Sequence, residues 1–175
     1  MNGLSQTSEH RPATLIIRHA REKPSKCSLR GLEQREDLAF VTFGGTGKPP
    51  WTRPALPELS GRVLLTIDAP PLSEADAESG LLLIDGTWRL ADRMYRALAN
   101  ELAGTVPRSI PPGFVTAYPR RQTECPDPSR GLASVEALYV AHRMLGFSVE
   151  GLLEHYRWAD AFLELNKARL QSVRD

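Results

Sequence analysis

At 175 residues, 41% hydrophobic and 25% charged, the chain has room for one domain with a sizeable core, and its composition excludes wholesale disorder. No apolar run approaches the roughly 18 residues that a spanning helix needs, and residues 1–14 lack the hydrophobic segment of a signal peptide. The net charge of +1 gives no overall sign of nucleic-acid binding, and the cysteines Cys27 and Cys125 are too few for a disulfide framework, so reduced thiols and a cytoplasmic setting are expected.

Residues 1–13 read as a flexible tail and 14–175 as a single domain. Thr14 to Arg18 is a β-rich run and the first expected strand. Residues 20–38 are polar, basic and irregular around the turn Lys23-Pro24-Ser25-Lys26-Cys27-Ser28. Ala39 to Phe43 is the second expected strand. Residues 44–57 are rich in glycine and proline and read as a surface loop. Gly44-Gly45-Thr46-Gly47-Lys48 is too short for a phosphate loop, and a proline follows Lys48 where a hydroxyl residue should hold magnesium.

Arg62 to Ile67 is a third strand, and Ser73 opens a short acidic helix over Glu74 to Glu78. Leu81-Leu82-Leu83-Ile84 is a continuous aliphatic run, as in a strand buried on both faces within a parallel sheet. It stops at Asp85-Gly86-Thr87. From Trp88 to Ala103 the residues Trp88, Ala91, Tyr95, Leu98 and Leu102 fall at helical spacing, and Gly104 ends the pattern. Phe114 to Ala117 reads as another strand. Residues 119–131 form a loop with three prolines and three arginines. Ser134 caps a helix over Val135 to Leu145. A last helix follows Ser148 toward Leu170, with Leu152, Tyr156, Ala159, Leu163 and Asn166 on its buried stripe. Strands alternating with helices, strands early and helices late, predict an α/β fold.

In open α/β sheets ligands bind outside the carboxyl ends of the strands. Asp85 to Trp88 therefore brings an acid, a glycine, a helix start and a flat ring to the expected place. Each residue taken singly has a plainer reading, with Asp85 or Thr87 as a helix cap and Trp88 in the core. Leu132 to Ala137 is a second helix start, whose free N–H groups suit a polar ligand edge. Glu136 there suits the helix dipole and reads as structural. Arg18, Arg21, Lys23, Lys26, Arg30 and Arg35 crowd one segment, and Arg120, Arg121 and Arg130 another. Two basic loops on one face would make a local positive patch on a nearly neutral protein; the alternative is ordinary solvated surface. His10, His19, His142 and His155 have no ligand-like spacing, and no metal is expected.

These motifs resemble a known family, the small-subunit rRNA aminocarboxypropyltransferases of ribosome biogenesis, related to DTW-domain proteins. Asp85-Gly86-Thr87-Trp88 resembles its Asp-x-Thr/Ser-Trp signature. Lys23 to Ser28 is similar to its Asp-Pro-Lys-Lys-Cys-Ser/Thr turn. Leu72-Ser73-Glu74-Ala75-Asp76 is similar to its Leu-Ser-x-x-Asp segment, and Leu132 to Ala137 to its Leu-Ser/Thr-x-x-Glu-Ala helix start. Tyr156 to Asn166 resembles its Phe-x-Trp-Gly-x-x-Phe-Leu-x-Leu-Asn signature. Two departures stand out: Gly86-Thr87 replaces the usual Cys-Ser, and Ala117 to Gln122 replaces an Asn-Pro-x-Asn-Tyr-Gly loop.

The resemblance implies a SPOUT-like α/β domain with a short N-terminal β-rich part and a helical, knotted C-terminal part, although true knots are otherwise nearly absent from proteins. It implies S-adenosylmethionine, whose aminocarboxypropyl group rather than methyl goes to a base nitrogen, N3 of uridine or pseudouridine. The acceptor is structured RNA, rRNA in the first place and tRNA in the second, and a monomer is expected. Such an enzyme must bury the methyl and aim the other chain at the nucleophile. Trp88 and Ala91 suit the methyl pocket, Leu65, Leu132 and Ala133 the adenine slot, and Ser28 the cofactor carboxylate. Asp85 is the candidate base or the electrostatic partner of the sulfonium. The other two readings are a SPOUT-like RNA methyltransferase and a non-catalytic ribosome- or RNA-binding module.

Overall fold

The computed structural model describes residues 12–45, 53–119 and 125–173. The loop pattern at 46–50 and the arginines Arg120 and Arg121 lie outside the described residues, as does most of the tail. Five strands, β1 (Thr14–His19), β2 (Leu38–Phe43), β3 (Val63–Leu65), β4 (Leu81–Asp85) and β5 (Val106–Arg108), form one sheet in the order β2-β1-β4-β3-β5. All four pairings are parallel. The chain leaves β1 toward β2 and leaves β4 toward β5, in opposite directions across the sheet. A crevice is expected at the carboxyl ends of two strands that diverge in this way.

The helices are α1 (Trp88–Ala97), α2 (Ala99–Leu102), α3 (Ser134–Met144), α4 (Ala159–Leu165) and α5 (Lys167–Ser172). Strand alternation sorts the core into two layers. Leu15, Ile17, Leu82 and Ile84 meet Ala91, Met94 and Leu98 of the α1 side. Ile16, Leu81 and Leu83 meet Val135, Leu138 and Ala141 of α3, together with Tyr156, Phe162 and Leu170. Every residue of β4 is buried, as its aliphatic run predicts for a central parallel strand. Full burial of one such leucine contributes about 1.5–3 kcal/mol.

Several boundaries differ from the sequence expectation, each for a physical reason. The helix expected over Trp88 to Ala103 breaks at Leu98, whose φ of −104° and ψ of 14° separate α1 from α2. Phe114 to Ala117 is not a strand, because side chains rather than a neighbouring strand satisfy its backbone. Asn166 takes both polar groups of Val115: its Oδ1 accepts from the N–H at 2.7 Å and its Nδ2 donates to the carbonyl at 2.8 Å. Gly113 precedes this segment with φ +97°, and a Cβ there would overlap the Arg169 guanidinium. The fifth strand is β5, where Pro107 masks the pattern and is tolerated at the sheet edge. The long helix expected after Ser148 is instead a series of turns before α4, although Leu152, Tyr156 and Asn166 are buried as expected.

The Leu72 to Asp76 motif is a short 3-10 turn. Asp76 accepts from the Ser73 N–H at 2.9 Å and from Arg108 Nε at 3.1 Å, which ties the β3–β4 connection to β5. Gly86 allows β4 to turn closely into α1: a Cβ there would stand 3.3 Å from Leu90 Cβ and 3.6 Å from His19 Cβ.

Candidate active site

The sheet register sets Arg18 beside Asp85 on adjacent strands. Arg18 Nε donates to Asp85 Oδ2 at 2.9 Å, and its Nη1 donates to Glu33 at 2.8 Å. The Arg18 guanidinium also lies 4.7 Å from the centre of the Phe40 ring. Ser134 Oγ donates to Asp85 Oδ1 at 2.8 Å, and Cys27 Sγ lies 3.5 Å from Oδ2. Burial, reinforced by the Asp85 charge, pushes the Cys27 thiol up to about 12, so at neutral pH it is a protonated donor. Asp85 is 4% exposed. A carboxylate so buried is tolerable because its charge is paired and its oxygens are hydrogen-bonded. It joins the end of β4, the end of β1, the Cys27 turn and the start of α3. Ser134, expected as a helix cap, is instead the first residue of α3 and turns its hydroxyl to Asp85.

Next to this cluster is a cavity of about 610 Å³, a size suited to a small-molecule ligand. Ser28, Leu65, Trp88, Ala91, Leu132 and Ala133 all line it, as does Asp85. The apolar wall comes from α1. Thr87 caps that helix, its Oγ1 accepting from the Leu90 N–H at 3.4 Å, while the Thr87 N–H donates to Glu22 at 2.7 Å. Trp88 and Ala91 follow one turn apart, and Tyr95 extends the same wall. The Tyr95 hydroxyl donates to the Leu65 carbonyl at 3.3 Å, and burial pushes its phenol up to about 12. A second wall comes from the start of α3 and from Thr116 and Tyr118. Ser28 Oγ accepts from the Val135 N–H at 3.2 Å and fixes the Lys23–Ser28 turn to that helix end.

Glu136 is structural, as its place in the first turn of α3 suggests, but on a larger scale than helix-dipole compensation. It is fully buried and accepts from the N–H groups of Ala133 and Ala117 and the hydroxyls of Thr116 and Tyr156. Burial, with the Glu136 charge, raises the Tyr156 phenol, which stays a donor.

The basic residues divide. Arg21, Lys23 and Arg30 are exposed, and Lys26 is exposed at the cavity edge. Arg130 lines the cavity, with Nη2 donating to Ser109 Oγ at 2.8 Å and to the Ile110 carbonyl at 3.2 Å. Arg18 does not belong to an exposed basic face: its side chain is 16% exposed and turned inward onto Asp85 and Glu33. Cavity-lining residues that the sequence does not single out are Glu22, Thr66, Asp68, Tyr95 and Thr116, while Tyr118, in the departing 117–122 loop, lines the cavity too. Thr66 and Asp68 follow the end of β3, where the strand-end rule points; Tyr95 stands in the helical stripe of Trp88 and Ala91. Glu22 has no local signal.

No family model matches the chain. Over 103 residues it is 32% identical to a curated protein of Methanopyrus kandleri named 16S rRNA aminocarboxypropyltransferase. That match takes in 58% of this chain and 56% of the relative, so the chain spans little more than half the relative's length. A solved structure described as the SAM-dependent rRNA:acp-transferase Tsr3 from Vulcanisaeta distributa matches with a TM-score of 0.66 and 22% identity. The match covers 94% of this chain and 84% of that one, and the two share an α/β fold.

Proposed function

We propose that this protein transfers the 3-amino-3-carboxypropyl group of S-adenosylmethionine to a base nitrogen in structured RNA, rRNA first and tRNA second. The observation that carries the reading is a convergence. The residues that the sequence singles out for the cofactor, Ser28, Leu65, Trp88, Ala91, Leu132 and Ala133, come from four separate segments and line one cavity. The named activities of the Methanopyrus and Vulcanisaeta proteins support it.

S-adenosylmethionine supplies a sulfonium with more than one electrophilic carbon. The cavity residues fit such a group: an apolar α1 wall beside the Asp85 carboxylate suits a cation carrying a methyl. Trp88 and Ala91 would bury the methyl, Leu65, Leu132 and Ala133 would form the adenine slot, and the Ser28 turn would hold the carboxylate. The base nitrogen, N3 of uridine or pseudouridine, bonds to the carbon next to sulfur. That C–S bond breaks with its electron pair kept on sulfur, methylthioadenosine leaves, and the N3 proton goes to water. Both Asp85 oxygens are engaged by Arg18, Ser134 and Cys27. Asp85 is therefore assigned to electrostatics and positioning rather than proton removal. The rate comes chiefly from aiming one carbon at the nucleophile.

RNA would lie over the exposed Arg21, Lys23, Lys26 and Arg30, with Arg120, Arg121 and Arg130 on the other basic segment. Residues 14–175 are read as one SPOUT-like, knotted, monomeric and cytoplasmic domain. Support for the compact C-terminal part is that residues 115–117 are clasped between Glu136 and Asn166. Among the described residues no helix is long and apolar enough to cross a membrane. The test is the mass of the nucleoside formed with S-adenosylmethionine and small-subunit rRNA. An added aminocarboxypropyl group supports the reading; an added methyl group, or no modification, rejects it.

A further inference from the structure

One buried carboxylate holds both halves of the cavity's second wall. Glu136 Oε2 accepts from the Ala133 N–H at 2.8 Å and the Thr116 hydroxyl at 2.6 Å. Its Oε1 accepts from the Ala117 N–H at 2.9 Å and the Tyr156 hydroxyl at 2.8 Å. An acid at this position of a helix ordinarily bonds back to the cap N–H alone. The bond to Ala133 is that one; the other three come from elsewhere in the chain. Glu136 is not itself among the residues that line the cavity, but Thr116 and Ala133 are. The Thr116 oxygen in turn accepts from the Tyr118 N–H at 3.1 Å, and Tyr118 also lines the cavity. The residue after Ala133 is Ser134, which bonds to Asp85.

We propose that Glu136 is a positioning residue of the site: its carboxylate sets the 116–118 wall against the start of α3, and so sets the fit of the ligand between them. The assignment rests on the reading of the cavity as an S-adenosylmethionine site. The chemistry requires a carboxylate in particular. Each oxygen holds one backbone N–H, that of Ala133 or that of Ala117. In glutamine one oxygen becomes an NH₂, which cannot accept. The Thr116 and Tyr156 hydroxyls can rotate to become acceptors, but a backbone N–H cannot. Either orientation of the amide therefore releases one half of the wall.

The experiment compares Glu136→Gln with Thr14→Val. The second variant breaks the 3.0 Å bond between Thr14 and His142 at the amino end of β1, away from the cavity. Melting temperature, Kd for S-adenosylmethionine, kcat and KM, and amide exchange at Ala117 and Ala133 are measured on the full chain. Thr14→Val should lower the melting temperature and leave Kd unchanged. Glu136→Gln should weaken Kd about tenfold or more, raise KM for S-adenosylmethionine in step, and speed exchange at Ala117 or Ala133. If Glu136→Gln only lowers the melting temperature, with Kd and KM as in the wild type, Glu136 is merely structural and the proposal is overturned. Should that variant not fold, Tyr156→Phe keeps the carboxylate and removes one donor. A Kd weakened about threefold supports positioning, and an unchanged Kd overturns it. A wild-type protein that does not bind S-adenosylmethionine rejects the proposed function instead. Amide exchange then decides alone whether Glu136 couples the two walls: faster exchange at one of the two N–H groups supports the coupling, and no change overturns it.

Discussion

Arg18 and Asp85 face each other across β1 and β4, and their side chains close a 2.9 Å ion pair at the carboxyl ends of the sheet. The side chains are only 16% and 6% exposed, so the pair is screened little by water. Removing one partner of a buried pair leaves the other uncompensated, at a cost of about 3–5 kcal/mol. Asp85→Asn keeps the shape, but its amide NH₂ cannot accept from Arg18 or Ser134. Urea unfolding should show a loss at the lower end of that range, and turnover of the folded variant should fall. A stability change below about 0.5 kcal/mol, the size of an ordinary surface substitution, would show that the pair is not structural.

Trp88 opens α1 and is half-buried at the cavity, so its truncation acts more on the ligand than on the core. Trp88→Ala should retain its fold by circular dichroism and bind S-adenosylmethionine at least about tenfold more weakly by calorimetry. Unchanged affinity in a folded variant removes Trp88 from the site.

The Cys27 thiol, raised to about 12 by burial and by Asp85, links stability to alkaline pH. Above the unfolded thiol's ordinary pKa near 9 the unfolded chain loses a proton that the folded chain keeps. The folded state then binds more protons, and stability falls with rising pH, by up to about 1.4 kcal/mol per unit between pH 9 and 12. Cys27→Ala should flatten this part of the profile, measured as urea midpoints across the alkaline range. An equal slope in the variant would show that other groups carry it; Tyr95 and Tyr156, also raised, act with the same sign at higher pH.

RNA binding through exposed arginines and lysines releases counterions, with a log–log salt slope of roughly −0.7 per phosphate contact on single strands. Charge reversal at Arg21, Lys23 and Arg30 should weaken RNA binding, flatten the salt slope and leave S-adenosylmethionine binding intact. Arg120→Glu with Arg121→Glu should do the same. Filter binding over a salt series measures both effects. RNA binding that does not respond to salt would place recognition elsewhere.

The centre of the site was legible because it rests on local pattern and one topological rule. The Leu81 to Ile84 run gave β4, the strand-end rule pointed to Asp85, and helical spacing put Trp88 and Ala91 on one face. Arg18 was misread because its partners, Asp85 and Glu33, lie 67 and 15 residues away in the chain. A charged residue at a strand end looks exposed until the neighbouring strand is known. Residues 114–117 read as a strand because the β-rich pattern is there, while the backbone bonds go to Glu136 and Asn166. Pro107 hid β5, since proline argues against a strand everywhere except at an edge. The turns of 149–158 carry a helical stripe because their buried residues pack on the same core as a helix would.

The most direct test of the proposed transfer follows the two sides of the sulfonium separately. S-adenosylmethionine labelled in the methyl carbon and, in a parallel reaction, in the carboxyl carbon is incubated with the protein and small-subunit rRNA. Carboxyl label in the RNA, no methyl label, and accumulation of methylthioadenosine are the predicted result. Methyl label in the RNA with S-adenosylhomocysteine as by-product would contradict it and make the protein a methyltransferase.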